Sequence, residues 1–131
     1  MSTRAVYSVF EGNESPINIY IHYDGYPSGA LDHIKAAFPF AWPLPRFEGD
    51  EFAAALCAGN KDGSGNVRIF PSGPPIDVSA SDIEYRYEIR CLDNTLWIKC
   101  YSTNYWNDKR WEEEIFSGNF KKFETWAKIK H

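Results

Sequence analysis

The chain reads as an α+β domain: an antiparallel sheet of about five or six strands with two or three helices, mostly on one side. Two observations carry that expectation. Stretches near both ends alternate apolar and polar residues with a period of two, and turn-forming pairs lie between them. Three shorter stretches space their apolar residues three and four apart, the mark of one helix face. The expected order is β-β-α-α-β-β-β-β-α, in one domain over residues 1–131.

The first two strands, 4–10 and 17–23, are joined by Glu11-Gly12-Asn13-Glu14-Ser15-Pro16, a connection of hairpin length. In the second, Ile17, Ile19, Ile21 and Tyr23 alternate with Asn18, Tyr20, His22 and Asp24, so a polar cluster forms on one face by period two alone. Asp24-Gly25 supplies a turn, Pro27 fixes its backbone, and Ser28 can cap a helix over 29–38 whose stripe is Leu31, Ile34 and Phe38. Pro39, Pro43 and Pro45 keep 39–48 extended and aromatic-bearing. Asp50 then caps a second short helix through Phe52, Ala55 and Leu56, stopped by Gly59. A loop over 60–66, a strand over 67–70 and an irregular stretch over 71–75 follow.

The hairpin over 83–101 is the best defined unit. Asp93-Asn94 can form a two-residue turn, which sets Cys91 beside Leu96, Ile89 beside Ile98 and Tyr87 beside Cys100 on one face. On the other face Arg90 meets Trp97, Glu88 meets Lys99 and Arg86 meets Tyr101, as cation–π and opposite-charge pairs. A one-residue slip would destroy both sets. A further turn at Asn107-Asp108 returns the chain through 110–116 and brings Ile115 opposite Cys100. Phe120, Phe123, Trp126 and Ala127 share one face of a terminal helix, and Lys121, Lys122, Lys128 and Lys130 fill much of its solvated remainder.

Composition narrows the function. A net charge of −4 offers no basic field for a phosphate backbone, so nucleic acid is a disfavoured partner. Aromatics make up 17% of the chain, more than a core of this size easily hides, so some rings are expected to line a groove or partner surface. Three cysteines, Cys57, Cys91 and Cys100, stand at no metal-like spacing, and no charged leader or long apolar run opens the chain, which points to a reduced cytoplasmic protein with no membrane contact.

The residues that could carry chemistry cluster around the first turn. His22 and Asp24 on one strand face, with Asp32 and His33 early on the following helix, could form an oxygen and nitrogen metal site or an acid/base pair if the helix folds back over the strand. The simpler use is structural: Asp24 accepts turn amides, His22 bonds across the sheet and Asp32 favours the helix start. The Gly59 to Asn66 loop has the glycine content of a phosphate cradle without the Gly-Lys-Ser/Thr order, and Cys57 has no nearby base in sequence. No cofactor is expected. Trp97, Tyr101 and Tyr105 share a sheet face and Trp106 adjoins it, as in stacking platforms for single-stranded nucleic acid. Packing under Phe120, Phe123 and Trp126 of the last helix is the expected use of that face.

At Ser2-Thr3-Arg4-Ala5-Val6-Tyr7 and His22-Tyr23-Asp24-Gly25-Tyr26-Pro27-Ser28-Gly29 the chain resembles small proteins encoded by phages, prophages and other mobile elements, which start Ser-Thr-Arg and carry an Asp-Gly-Tyr-Pro turn. The likeness extends to about residue 40 and implies, by genetic setting, a role between phage and host, with no catalytic residue transferred. Mild acidity, surplus aromatics and the lack of a complete catalytic set fit a non-enzymatic interaction protein, such as an anti-CRISPR-like inhibitor of a defence complex in the bacterial host's cytoplasm. Its contacts are expected at Tyr20, His22, Asp24 and Tyr26, with Trp97, Tyr101, Tyr105 and Trp106 as a further aromatic surface. The alternatives are a metal-assisted hydrolase or ligand-binding domain on His22, Asp24, Asp32 and His33, and a single-stranded nucleic-acid module.

Overall fold

A computed structural model describes residues 3–70, 83–102 and 113–130. Strands β1 (Arg4–Val9) and β2 (Ile17–Ile21) precede helices α1 (Pro27–Ala37) and α2 (Gly49–Asn60). Then come β3 (Val67–Phe70), β4 (Ile83–Leu92), β5 (Thr95–Ser102), β6 (Glu113–Asn119) and α3 (Phe120–Lys130), in the order the sequence leads one to expect. The strands form one sheet, β3-β2-β1-β4-β5-β6. It is mixed, not wholly antiparallel: β1 runs antiparallel to β2 but parallel to β4. Hairpin logic governs only strands adjacent in sequence. Two helices and two strands separate β1 from β4, a connection long enough for parallel pairing. No helix among the described residues is long and apolar enough to cross a membrane.

Register places the apolar alternates together. Ala5, Tyr7 and Val9 lie opposite Ile21, Ile19 and Ile17 on one side and Tyr85, Tyr87 and Ile89 on the other. These residues join Leu31 and Ile34 of α1, Phe52 and Leu56 of α2, and Phe123 and Ala127 of α3 in one core. The β4–β5 hairpin has the expected register at every pair, because Asp93 and Asn94 both take the positive φ of a turn whose twist matches the strands, 51° and 62°. Between β5 and β6 the expected alignment holds at Tyr101–Glu114; a bulge then puts Phe116, not Ile115, opposite Cys100. The bulge brings Phe116 onto Phe123 and Trp126, at ring separations of 5.6 and 4.9 Å. The Asn107-Asp108 turn and residues 71–75 lie outside the described residues.

Helix ends depart from the expected caps. Helix α1 begins at Pro27, with Tyr26 at the N-cap and no side-chain capping bond, because proline's fixed φ already suits the first helical position. Asp50 does not cap α2; the Glu11 carboxylate, from the β1–β2 connection, accepts the Gly49 N–H at 2.7 Å. Nor does Gly59 stop α2, which continues to Asn60. A Cβ at Gly59 would stand 2.2 Å from the Ala36 carbonyl oxygen, so glycine there lets α2 approach α1.

The opposite sheet face carries charge. Glu88, 9% exposed, meets Arg86 at 2.7 Å and Arg90 at 3.6 Å, while Lys99 turns instead to Glu114 at 3.8 Å. The guanidinium of Arg86 lies over Tyr101 as expected, at 4.7 Å, but that of Arg90 lies over Phe10 rather than Trp97. Ser8 Oγ donates to Asn18 Oδ1 at 2.6 Å, both side chains being fully buried.

Candidate functional site

The turn after β2 is pinned from two directions. Gly25 N–H donates to the Thr3 carbonyl at 2.8 Å, and the Tyr87 hydroxyl donates to the Gly25 carbonyl at 2.6 Å. The left-handed residue is Asp24, with φ 59°, not Gly25; aspartate tolerates that region better than most residues. Strand β2 has already ended at Ile21, so His22 and Asp24 do not project from one strand face. Above the pinned backbone Tyr23 and Tyr26 are 49% and 36% exposed, flanked by exposed Asp24 and Asp32. The Tyr26 hydroxyl donates to Asp24 Oδ1 at 3.3 Å, and the neighbouring carboxylate charge raises the phenol's pKa.

His22 and His33 belong to separate networks. His22 Nδ1 accepts from the Tyr20 hydroxyl at 2.6 Å and from Arg4 Nε at 3.3 Å, which leaves its proton on Nε2; the Tyr23 ring stands edge-on at 4.7 Å. His33 Nδ1 meets the Tyr7 hydroxyl at 2.5 Å. Burial pushes the Tyr7 phenol well up, keeping it neutral, and pushes the imidazole of His33 down against the opposing pull of Asp24 and Asp32. The set His22, Asp24, Asp32 and His33 is therefore divided, and no group of three or more His, Cys, Asp or Glu able to hold a metal forms among the described residues. Sequence reading passed over Tyr7 and Tyr87, whose alternation in β1 and β4 marks them as inward facing; their rings stack at 5.2 Å beneath the turn.

A pH dependence follows. With its folded pKa below the ordinary 6.5, His33 binds a proton more readily in the unfolded chain. Its contribution to stability is complete above that value and is lost as pH falls through the window beneath it. Thermal melts of the wild type should lose more midpoint between about pH 7.5 and about pH 5.5 than those of His33→Gln, whose amide oxygen can still accept from Tyr7. Equal losses would show that His33 is not the group responsible.

Trp97 and Tyr101 are half-buried on the charged sheet face. Tyr105 and Trp106 lie outside the described residues. The expected cover by the last helix is not what forms: Phe123 packs against Tyr87 and Phe116, with the core on the other face of the sheet. The register shift between Cys100 and Tyr101 pairs Phe116 with Cys100, and Phe116 meets Phe123 and Trp126 of α3. Trp97 Nε1 is buried with no acceptor among the described residues.

The connector between α1 and α2 builds a feature that period counting could not find. Phe38, Ala41, Trp42, Pro43, Leu44, Phe52 and Leu96 line an apolar groove of about 190 Å³. Phe38 and Leu44 are each 40% exposed, and Phe40 beside them 59%. The Glu51 carboxylate accepts the Trp42 N–H at 3.1 and 3.2 Å, and Arg46 stacks over the Trp42 ring at 3.7 Å.

No protein-family model, curated protein or solved structure matches the chain. Its chemistry is read from its own side chains. Burial raises the pKa of all three free thiols, Cys57, Cys91 and Cys100, which makes them poor nucleophiles near neutrality. The Nδ1 atoms of His22 and His33 are each held by a tyrosine. What the turn offers is an array of exposed rings and carboxylates on a pinned backbone.

Proposed function

We propose that the chain is a non-enzymatic interaction protein of a phage or other mobile element that inhibits a bacterial defence complex by binding it through the turn at Tyr23, Asp24 and Tyr26. The observation that carries this reading is an exposed aromatic pair on a backbone held by Thr3 and Tyr87. A ring already fixed in place loses little entropy on binding, and tyrosine is enriched among the residues that dominate interfaces. Asp24 and Asp32 beside those rings suit a basic surface, such as the nucleic-acid channel of a defence effector, where acidic groups compete with phosphate. Tyr20 and His22 act from beneath, holding the turn's approach. The reading takes the helices to cover one face of the sheet, as their shared core with the apolar strand positions suggests.

The test is capture of partners from a bacterial host lysate by the wild type and by Tyr26→Ala, with mass spectrometry and then affinity measurement on the purified partner. Tyr26→Ala should weaken binding at least about ten-fold, the loss of an interface anchor, while the melting temperature stays nearly unchanged. An unfolded variant would make Tyr26 a core residue, and unchanged affinity would remove the turn from the interface.

A further inference from the structure

We propose that the groove between the α1–α2 connector and the β4–β5 hairpin is a second binding site, for a peptide segment presenting one large apolar side chain beside a carboxylate. Its volume, about 190 Å³, is below the range for drug-sized ligands and fits a single leucine- or phenylalanine-sized side chain. The walls are Phe38, Trp42, Leu44, Phe52 and Leu96, so the occupant's buried part is apolar. The site is already shaped: Phe52 and Leu96 are core residues, Trp42 is tied to α2 through Glu51, and Pro43 and Pro45 stiffen the connector, so little ordering cost falls on binding.

Arg46 favours the carboxylate. Its guanidinium lies on the ring of Trp42, a wall of the groove, and no carboxylate among the described residues pairs with it. A tryptophan that walls an apolar slot, with an arginine on its face, brings together two residue types that dominate interface energetics, and the charge selects an acidic neighbour in the ligand. The site is separate from the turn. Pro27 opens α1 beside Tyr26 and Phe38 follows its end, so the two surfaces lie at opposite ends of a helix of 11 residues, about 16 Å long.

The probe is a set of blocked peptides, acetyl-Asp-Leu-Asp-amide, acetyl-Asn-Leu-Asn-amide and acetyl-Asp-Ala-Asp-amide, titrated into the ¹⁵N-labelled full chain. The first should shift the amide signals of Ala41, Trp42, Leu44 and Leu96 in a saturable way. The second should bind about three-fold more weakly, the size expected of a solvent-facing ion pair, and the third should not saturate. In Arg46→Gln the preference for aspartate over asparagine should vanish while the leucine requirement persists; Tyr26→Ala should bind all three peptides as the wild type does. Absence of saturable shifts at these positions, an equal response to the alanine peptide, or an aspartate preference that survives in Arg46→Gln would each overturn the proposal, whatever the fate of the turn as an interface.

Discussion

Gly29→Ala should lower the stability of the fold by about 3 kcal/mol or more, the upper end of the cost of forcing an extra carbon into a packed site. A Cβ at this position would stand 1.9 Å from the Asp24 carbonyl oxygen and 2.8 Å from its carbon. The atoms it meets are backbone, not the free end of a side chain. Relief requires the turn and the first turn of α1 to part by more than about 1 Å, against the hydrogen bonds that Thr3 and Tyr87 make to Gly25. Alanine's better helix propensity recovers at most about 1 kcal/mol, and less at a helix start. Urea unfolding should show a lower midpoint with an unchanged slope. A variant as stable as the wild type would mean that Asp24 does not press against α1 as described.

Glu88→Ala should cost about 3 kcal/mol, because it removes a carboxylate that faces two arginines on a buried patch. Arg86 is 4% exposed, so the ion pair at 2.7 Å is lost at a site that water barely reaches. Replacing the pair together, Arg86→Met with Glu88→Leu, should be much less damaging than Glu88→Ala alone, since taking two charges out of water offsets most of what their attraction contributes. The comparison is a denaturation series on the two variants and the wild type. If the double variant is the less stable of the two, the pair contributes more than its desolvation costs and the argument fails.

Much of the local structure was legible in the residues. Where a unit is closed by its own turn, short-range chemistry is sufficient: Asp93-Asn94 twists the backbone into a hairpin, and every pair from Leu92–Thr95 to Tyr85–Ser102 follows from it. The element order, the short strand over Val67–Phe70 and the terminal helix likewise follow from period and punctuation. The core face of β2 is legible for the same reason, since Ile19 and Ile21 can only be buried together.

Tertiary structure alone decided the rest, wherever two segments distant in sequence must share space. The parallel pairing of β1 with β4 depends on how an intervening chain of helices packs, which no local pattern encodes. A register shift between Cys100 and Tyr101 paired Phe116, not Ile115, with Cys100, where it meets Phe123 of α3. His22 and His33 instead bond tyrosines from different strands, Tyr20 on β2 and Tyr7 on β1. The apolar groove arose where prolines denied the connector any period to read, and its walls formed where that connector met α2 and β5 in space. Sequence determines what each segment can bury and where it can turn; contacts between segments depend on mutual fit, and that is fixed only when the whole core closes.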